Sequence, residues 1–107
     1  MIARHWRGLA KADHADAYVA HLREETFPAI RTVPGFKSAS ILRRDVAEGV
    51  EFLIVTTWDS LDAIRAFAGA DVEAAVVPDK AQAMMLDYDR FARHFEVVPE
   101  TDTSNRE

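Results

Sequence analysis

The stretch Thr57-Trp58-Asp59-Ser60-Leu61-Asp62-Ala63-Ile64-Arg65-Ala66-Phe67 joins two kinds of periodicity. Upstream, Val50 to Thr57 is an apolar run of strand length that includes Phe52-Leu53-Ile54-Val55. Downstream, Leu61, Ile64, Phe67 and Ala68 recur every third or fourth residue, as one face of a helix does. Between them, Asp59 and Ser60 each offer a side-chain oxygen to the first free N–H groups of that helix. Trp58 sits at the strand end, just before the cap. A strand that runs straight into a capped helix is the unit from which the rest of the chain is read.

Working backwards, Ala47-Glu48-Gly49 makes a short turn, with Gly49 expected at positive φ. Residues 36–46 form the strand before it, with Ala39 and Ile41 on one face and Phe36 and Leu42 on the other. Residues 1–10, with Ile2, Trp6 and Leu9, read as the first strand. Asp13 then offers a cap, and Ala15, Tyr18, Val19, Leu22, Ala29, Ile30 and Val33 follow helical spacing. Pro28 should bend that helix, because it lacks an N–H and crowds the preceding turn. Val33-Pro34-Gly35-Phe36 ends it.

Working forwards, the helix over 61–68 is ended by Gly69. Residues 71–87 are helical or irregular, broken at Pro78 and restarting over 79–86, and 88–98 form the fourth strand. Residues 1–98 make one domain; 99–107 have little to bury and are expected to be a mobile tail.

The order βαββαβ predicts an α+β, ferredoxin-like fold: an antiparallel four-stranded sheet with both helices on one face. The third strand is apolar on both sides, so burial on both faces is expected. With Phe91 and Phe95 of the fourth strand, it leaves an apolar face larger than monomers tolerate. A homodimer whose sheets face each other follows, as in a dimeric α/β barrel.

Composition narrows the function classes. The net charge of −5 opposes nucleic-acid binding, and Arg43-Arg44 reads as a solvated strand end. There is no cysteine, hence no disulfide, thiolate or Cys-ligated zinc. The N-terminal residues Arg4, His5 and Arg7 leave no signal-peptide core, and no apolar run is long enough to span a membrane. A cytoplasmic protein is expected. Four unclustered histidines show no metal-ligand spacing, and no phosphate loop, dinucleotide fingerprint or nucleophile elbow is present.

Three motifs carry a family resemblance: Val33-Pro34-Gly35-Phe36, Thr57-Trp58-Asp59-Ser60, and Asp71-Val72-Glu73 followed by Pro78. With them the chain resembles the antibiotic biosynthesis monooxygenase domain family over about residues 2–98. That superfamily places oxygenases, isomerases and decarboxylating enzymes on one scaffold, so the resemblance speaks to fold more than to substrate. Its haem-degrading branch implies a strand-one Asn, a Trp on the second helix and an iron-ligating His ten residues further on. Aligned from Trp58, these fall near Arg7, on Phe67 and on Val77, and none matches. Valine cannot ligate iron, so haem degradation is disfavoured.

The cofactor-free oxygenases of the family imply instead a phenolic or quinone-like substrate, ionised in an apolar cleft and attacked by dioxygen without metal or flavin. His5, Arg7, Tyr88, Arg90 and His94 are the polar candidates. His5 and Arg7 share one phase of the first strand, expected to face the helices, while Ile2 and Trp6 are expected in the dimer interface. On that reading His5 is the general base and Arg7 holds the anion. Trp58, Phe67, Tyr88 and His94 contribute to substrate binding, although core packing is the first reading of Trp58 and Phe67. His14 reads as a surface residue and His21 as bordering the Leu22 face. Met84 and Met85 would line a pocket or a core edge. The alternative is a non-catalytic dimeric ligand-binding or stress-associated module of the same fold.

Overall fold

The computed structural model describes residues 1–100; from residue 101 onward the tail lies outside the described residues. The first strand, β1 (Ile2–Ala10), is the pivot of the sheet. On one side it pairs antiparallel with β3 (Val50–Trp58), which in turn pairs with β2 (Phe36–Asp45). On its other side β1 pairs first with β4 (Met85–Tyr88) and then with β5 (Arg93–Glu96). The order β2-β3-β1-β4, with β5 continuing the same edge, is the ferredoxin-like arrangement expected from the sequence.

The register assigns the two faces. Ile2, Arg4, Trp6, Gly8 and Ala10 of β1 stand opposite Trp58, Thr56, Ile54, Phe52 and Val50 of β3, and this face carries the helices. Val50, Phe52, Ile54 and Trp58 are buried there with Ala15, Tyr18, Leu22, Phe27, Ile30 and Ile64. The other face carries Ala3, His5, Arg7 and Leu9 beside Leu53 and Val55. In the single chain Leu53 and Val55 are half-buried, and the cover expected over this face of β3 is that of a second copy. A bulge between Phe36 and Ser38 puts Phe36 on the helix side with Ala39 and Ile41, a correction of its expected face.

Pro28 acts as its chemistry requires. The first helical segment is not continuous but runs as α1 (Ala15–His21), a π turn (Leu22–Thr26) and α2 (Phe27–Ile30). Without an N–H, and with its ring against the carbonyl four residues earlier, Pro28 disfavours the regular ladder. The turn before it widens, and the Phe27 N–H bonds to the Leu22 carbonyl five residues back.

The opening stretch folds as read. Ser60 caps α3 (Leu61–Ala68), its Oγ accepting from the Ala63 N–H at 3.2 Å, while Asp59 pairs with Lys37 instead. Gly35 has φ +90, and a Cβ there would lie 2.6 Å from that of Ala63, so the turn before β2 and the start of α3 meet only because it is glycine. Gly49 does not take the positive φ expected of it. Its requirement is space: a Cβ would sit 2.2 Å from the Ala10 carbonyl oxygen. The expected restart over 79–86 shrinks to α4 (Asp79–Gln82), and β4 already begins at Met85. The fourth strand is split. Between β4 and β5 the chain leaves β1, and Phe91 pairs with Ala74 rather than joining Phe95 on a sheet face. Among the described residues no helix is long and apolar enough to cross a membrane.

Candidate active site

A small cavity of about 70 Å³ lies between the sheet and the helices. The sheet supplies Arg4, Trp6, Ile54 and Thr56 to its lining. The first helical segment supplies Tyr18, His21, Leu22, Thr26, Phe27 and Ile30, and α3 supplies Phe67. The irregular segment before α4 closes the side with Val76, Val77 and Pro78.

Arg4 is the unusual member. It is 5% exposed, and its guanidinium has neutral partners: the Val72 carbonyl at 2.6 Å, the Ala74 carbonyl at 2.8 Å and His94 Nε2 at 2.8 Å. The Phe67 ring lies below it, 5.7 Å from the guanidinium carbon. Burial lowers its pKa, and no carboxylate among the described residues acts against that shift. A desolvated cation without a counter-ion attracts an anion strongly, because little solvent screens it. The arginine also ties down the cavity wall through the Val72 and Ala74 carbonyls. The same segment is held from its other side, where Ala92 donates to the Glu73 carbonyl at 2.8 Å and Ala75 to the Arg90 carbonyl at 3.0 Å.

His94 accepts from Arg4 and is held neutral. Burial first, and then the Arg4 charge, lower its pKa from 6.5, with Glu73 opposing. His21 is buried on α1, its Nε2 3.2 Å from Thr26 Oγ1 and its ring stacked on Tyr18. Burial raises the pKa of the Tyr18 hydroxyl far above its usual range, so Tyr18 stays protonated.

The expected site residues divide. Phe67 lines the cavity, and His94 reaches it through Arg4. His5 and Arg7 do not meet it: they occupy the face away from the helices, so the expectation that their phase faces the cleft is corrected. The His5 ring packs 4.9 Å from Phe95, and Arg7 pairs with Glu51, which also takes Arg44. The reason is hydrophobic. The phase with Ile2, Trp6, Gly8 and Ala10 is the more apolar and goes where burial is deepest, carrying Arg4 with it. Trp58 is wholly buried between Phe36 and Phe67, its Nε1 donating to Thr56 Oγ1 at 2.9 Å, and it stands behind the lining as a packing anchor. Tyr88 packs on Trp6 beneath Arg90, outside the lining. Met85 is core.

Arg4, His21 and Thr26 went unread as site residues. For Arg4 the signal was the apolar company of its strand phase. For His21 it was helical spacing from Tyr18 to Leu22. Thr26 had no signal, since it depends on the π turn. Among the described residues no three His, Asp or Glu side chains gather as metal ligands.

Fold and site together define a small α+β domain with an apolar cavity between sheet and helices and a buried cation at its floor. Residues 1–78 match the model of the antibiotic biosynthesis monooxygenase family, and the chain belongs to that family. No curated protein matches it. Among solved structures it is similar to an antibiotic biosynthesis monooxygenase, so assigned, from Deinococcus radiodurans. The two share 20% identity, 95% of this chain and 97% of that one are covered, and the TM-score is 0.66. It is also similar to the haem degrader MhuD of Mycobacterium tuberculosis, crystallised with two haems in its active site (20% identity, 95% and 100% covered, TM-score 0.59). A third is the monooxygenase ActVA-Orf6 of Streptomyces coelicolor in complex with nanaomycin D (19% identity, 92% of each chain, TM-score 0.58). At these identities the structures establish the fold. The family supports a monooxygenase-like function.

Proposed function

We propose that this protein is a cofactor-independent monooxygenase acting on a phenolic or quinone-like small molecule held in the Arg4 cavity. The observation that carries the reading is the buried guanidinium, without a counter-ion among the described residues, above an apolar, aromatic wall. A phenolate fits both features, its oxygen anion on Arg4 and its ring against Phe67, Trp6 and Phe27. Ionisation makes the ring electron-rich enough to react with dioxygen directly. The overall change, phenol plus dioxygen to quinone plus water, balances without an external reductant. One oxygen atom enters the ring as a carbonyl and the other leaves as water.

The test is oxygen consumption with a panel of naphthols and hydroquinones, product identified by mass. Uptake that depends on protein and places one labelled oxygen atom in the product is expected. Binding without uptake across the panel would favour the other reading, a ligand-binding module without chemistry. One observation favours that reading: the cavity is about 70 Å³, well below the roughly 150 Å³ of an apolar cavity that takes benzene. A bound ring therefore requires the segment with Val76, Val77 and Pro78 to move outward.

The lining does not fit haem. Val77 and Phe67 are wall residues, the only lining histidine has its Nε2 on Thr26, and the space is far smaller than a macrocycle. Titration with haem should give only weak hydrophobic association. A sharp Soret band from a stoichiometric complex, abolished by replacing one histidine, would overturn this.

The face away from the helices supports a homodimer. Leu42 and Phe95 are 48% and 49% exposed there, flanking half-buried Leu53 and Val55. A second copy would cover this patch, with the Arg7–Glu51–Arg44 ion pairs at its polar end. Light scattering at micromolar concentration should return about twice the 12.0 kDa chain mass. A monomer persisting at high concentration would exclude it.

A further inference from the structure

In a regular helix the residue above His21 is Glu25; in the π turn Thr26 also comes within reach. Both flank the His21 ring. Thr26 Oγ1 lies 3.2 Å from Nε2, and Glu25 Oε2 lies 3.5 Å from Nδ1, within ion-pair range but without hydrogen-bond geometry. Among the described residues the buried Nδ1 finds no hydrogen-bond partner, and the His21 side chain is only 5% exposed. An orphaned ring nitrogen in a buried position is costly, and such sites are often kept for chemistry. His21 and Thr26 both line the cavity that holds Arg4, while Glu25 reaches solvent and pairs with Lys80 of α4. Carboxylate, imidazole and hydroxyl thus stand in series from the surface to the cavity.

Resting on the reading of Arg4 as the anion holder, we propose that His21 is the proton acceptor of the site, reached through the Thr26 hydroxyl. The substrate O–H bond breaks as its proton passes to Thr26 Oγ1, and the Thr26 proton passes to His21 Nε2. Threonine is left unchanged, the substrate as its anion on Arg4, and the imidazolium beside the Glu25 carboxylate. The proton returns by the same path to the oxygen atom that leaves as water. Of the other groups packed around His21, Tyr18 stays neutral.

Para-nitrophenol, which ionises near neutral pH and is coloured only as the anion, tests this without turnover. Its binding at equilibrium, and the rate at which bound colour appears after mixing, are followed at about pH 6 and about pH 9 for the wild-type chain, Thr26→Val, His21→Gln and Arg4→Met. Wild type should bind it as the coloured anion at both. At the lower pH His21→Gln should bind roughly tenfold more weakly than wild type and Thr26→Val should form the bound anion roughly tenfold more slowly, while at the higher pH both should lie within about twofold, since no proton then has to be taken up. Thr26→Val changes only a hydroxyl to a methyl and carries the test of the path if His21→Gln does not fold. Wild-type affinity in His21→Gln or a wild-type rate in Thr26→Val at the lower pH would overturn the relay, and so would equal losses at both values, the mark of a merely structural role. Failure of the Arg4 reading looks different: no anion bound by wild type, or binding indifferent to Arg4→Met.

Discussion

Trp58→Ala should destabilise the fold by about 3–5 kcal/mol, the range for deleting a large buried aromatic side chain. Domains of this size have about 5–15 kcal/mol in all, so the variant should unfold at much lower denaturant. The side chain is 0% exposed, packed edge-on against Phe36 and stacked on Phe67, and it joins β3 to the helix that Ser60 caps. Its loss opens a cavity among three elements and leaves Thr56 Oγ1 without the indole donor. Equilibrium urea unfolding of wild type and variant measures the difference. A loss below about 1 kcal/mol would mean that the ring serves something other than packing.

Arg4→Met should weaken binding of a phenolate by roughly tenfold to a hundredfold, because charged hydrogen bonds contribute about 1.5–3 kcal/mol. Methionine keeps an apolar stem in the cavity floor, so the fold should survive. Its stability reflects two opposed changes. A buried charge without a counter-ion among the described residues disappears, which is favourable, while the carbonyls of Val72 and Ala74 lose their donors. His94 reports the change independently. In wild type its folded pKa lies below 6.5, so the unfolded chain takes the proton first as pH falls. The His94 contribution is therefore complete above 6.5 and is lost as pH falls through that value toward the folded pKa. Removing the Arg4 charge should raise the folded pKa and narrow that window without closing it, since burial is the larger cause. Histidine proton resonances followed through a pH titration measure both effects. An unchanged His94 titration and unchanged phenolate affinity would detach Arg4 from the site.

What could be read from sequence was whatever depends on near neighbours. The Trp58-Asp59-Ser60 junction and the stripe through Leu61, Ile64 and Phe67 set a strand end, a cap and a helix whose bounds, Leu61–Ala68, appear unchanged in the structure. Local periodicity and capping act over a few residues, and the βαββαβ order followed from them. The site was another matter. Alternation along β1 separates Arg4 and Trp6 from His5 and Arg7, but it does not say which phase lies under the helices. That is decided by packing: Trp6 meets Tyr18 from α1 and Tyr88 from β4, and Arg4 meets carbonyls about seventy positions away. Phe67 and His94 join it from much further along the chain. The meeting of His21 with Thr26 depends on the widened turn before Pro28, where the chain departs from the regular helix that spacing assumes. Sequence by itself determined the βαββαβ order and the family, though not every element's bounds. Which face is buried, which arginine loses its water and which histidine reaches the cavity were decided only by tertiary structure, because burial depends on contacts between residues that the chain keeps far apart.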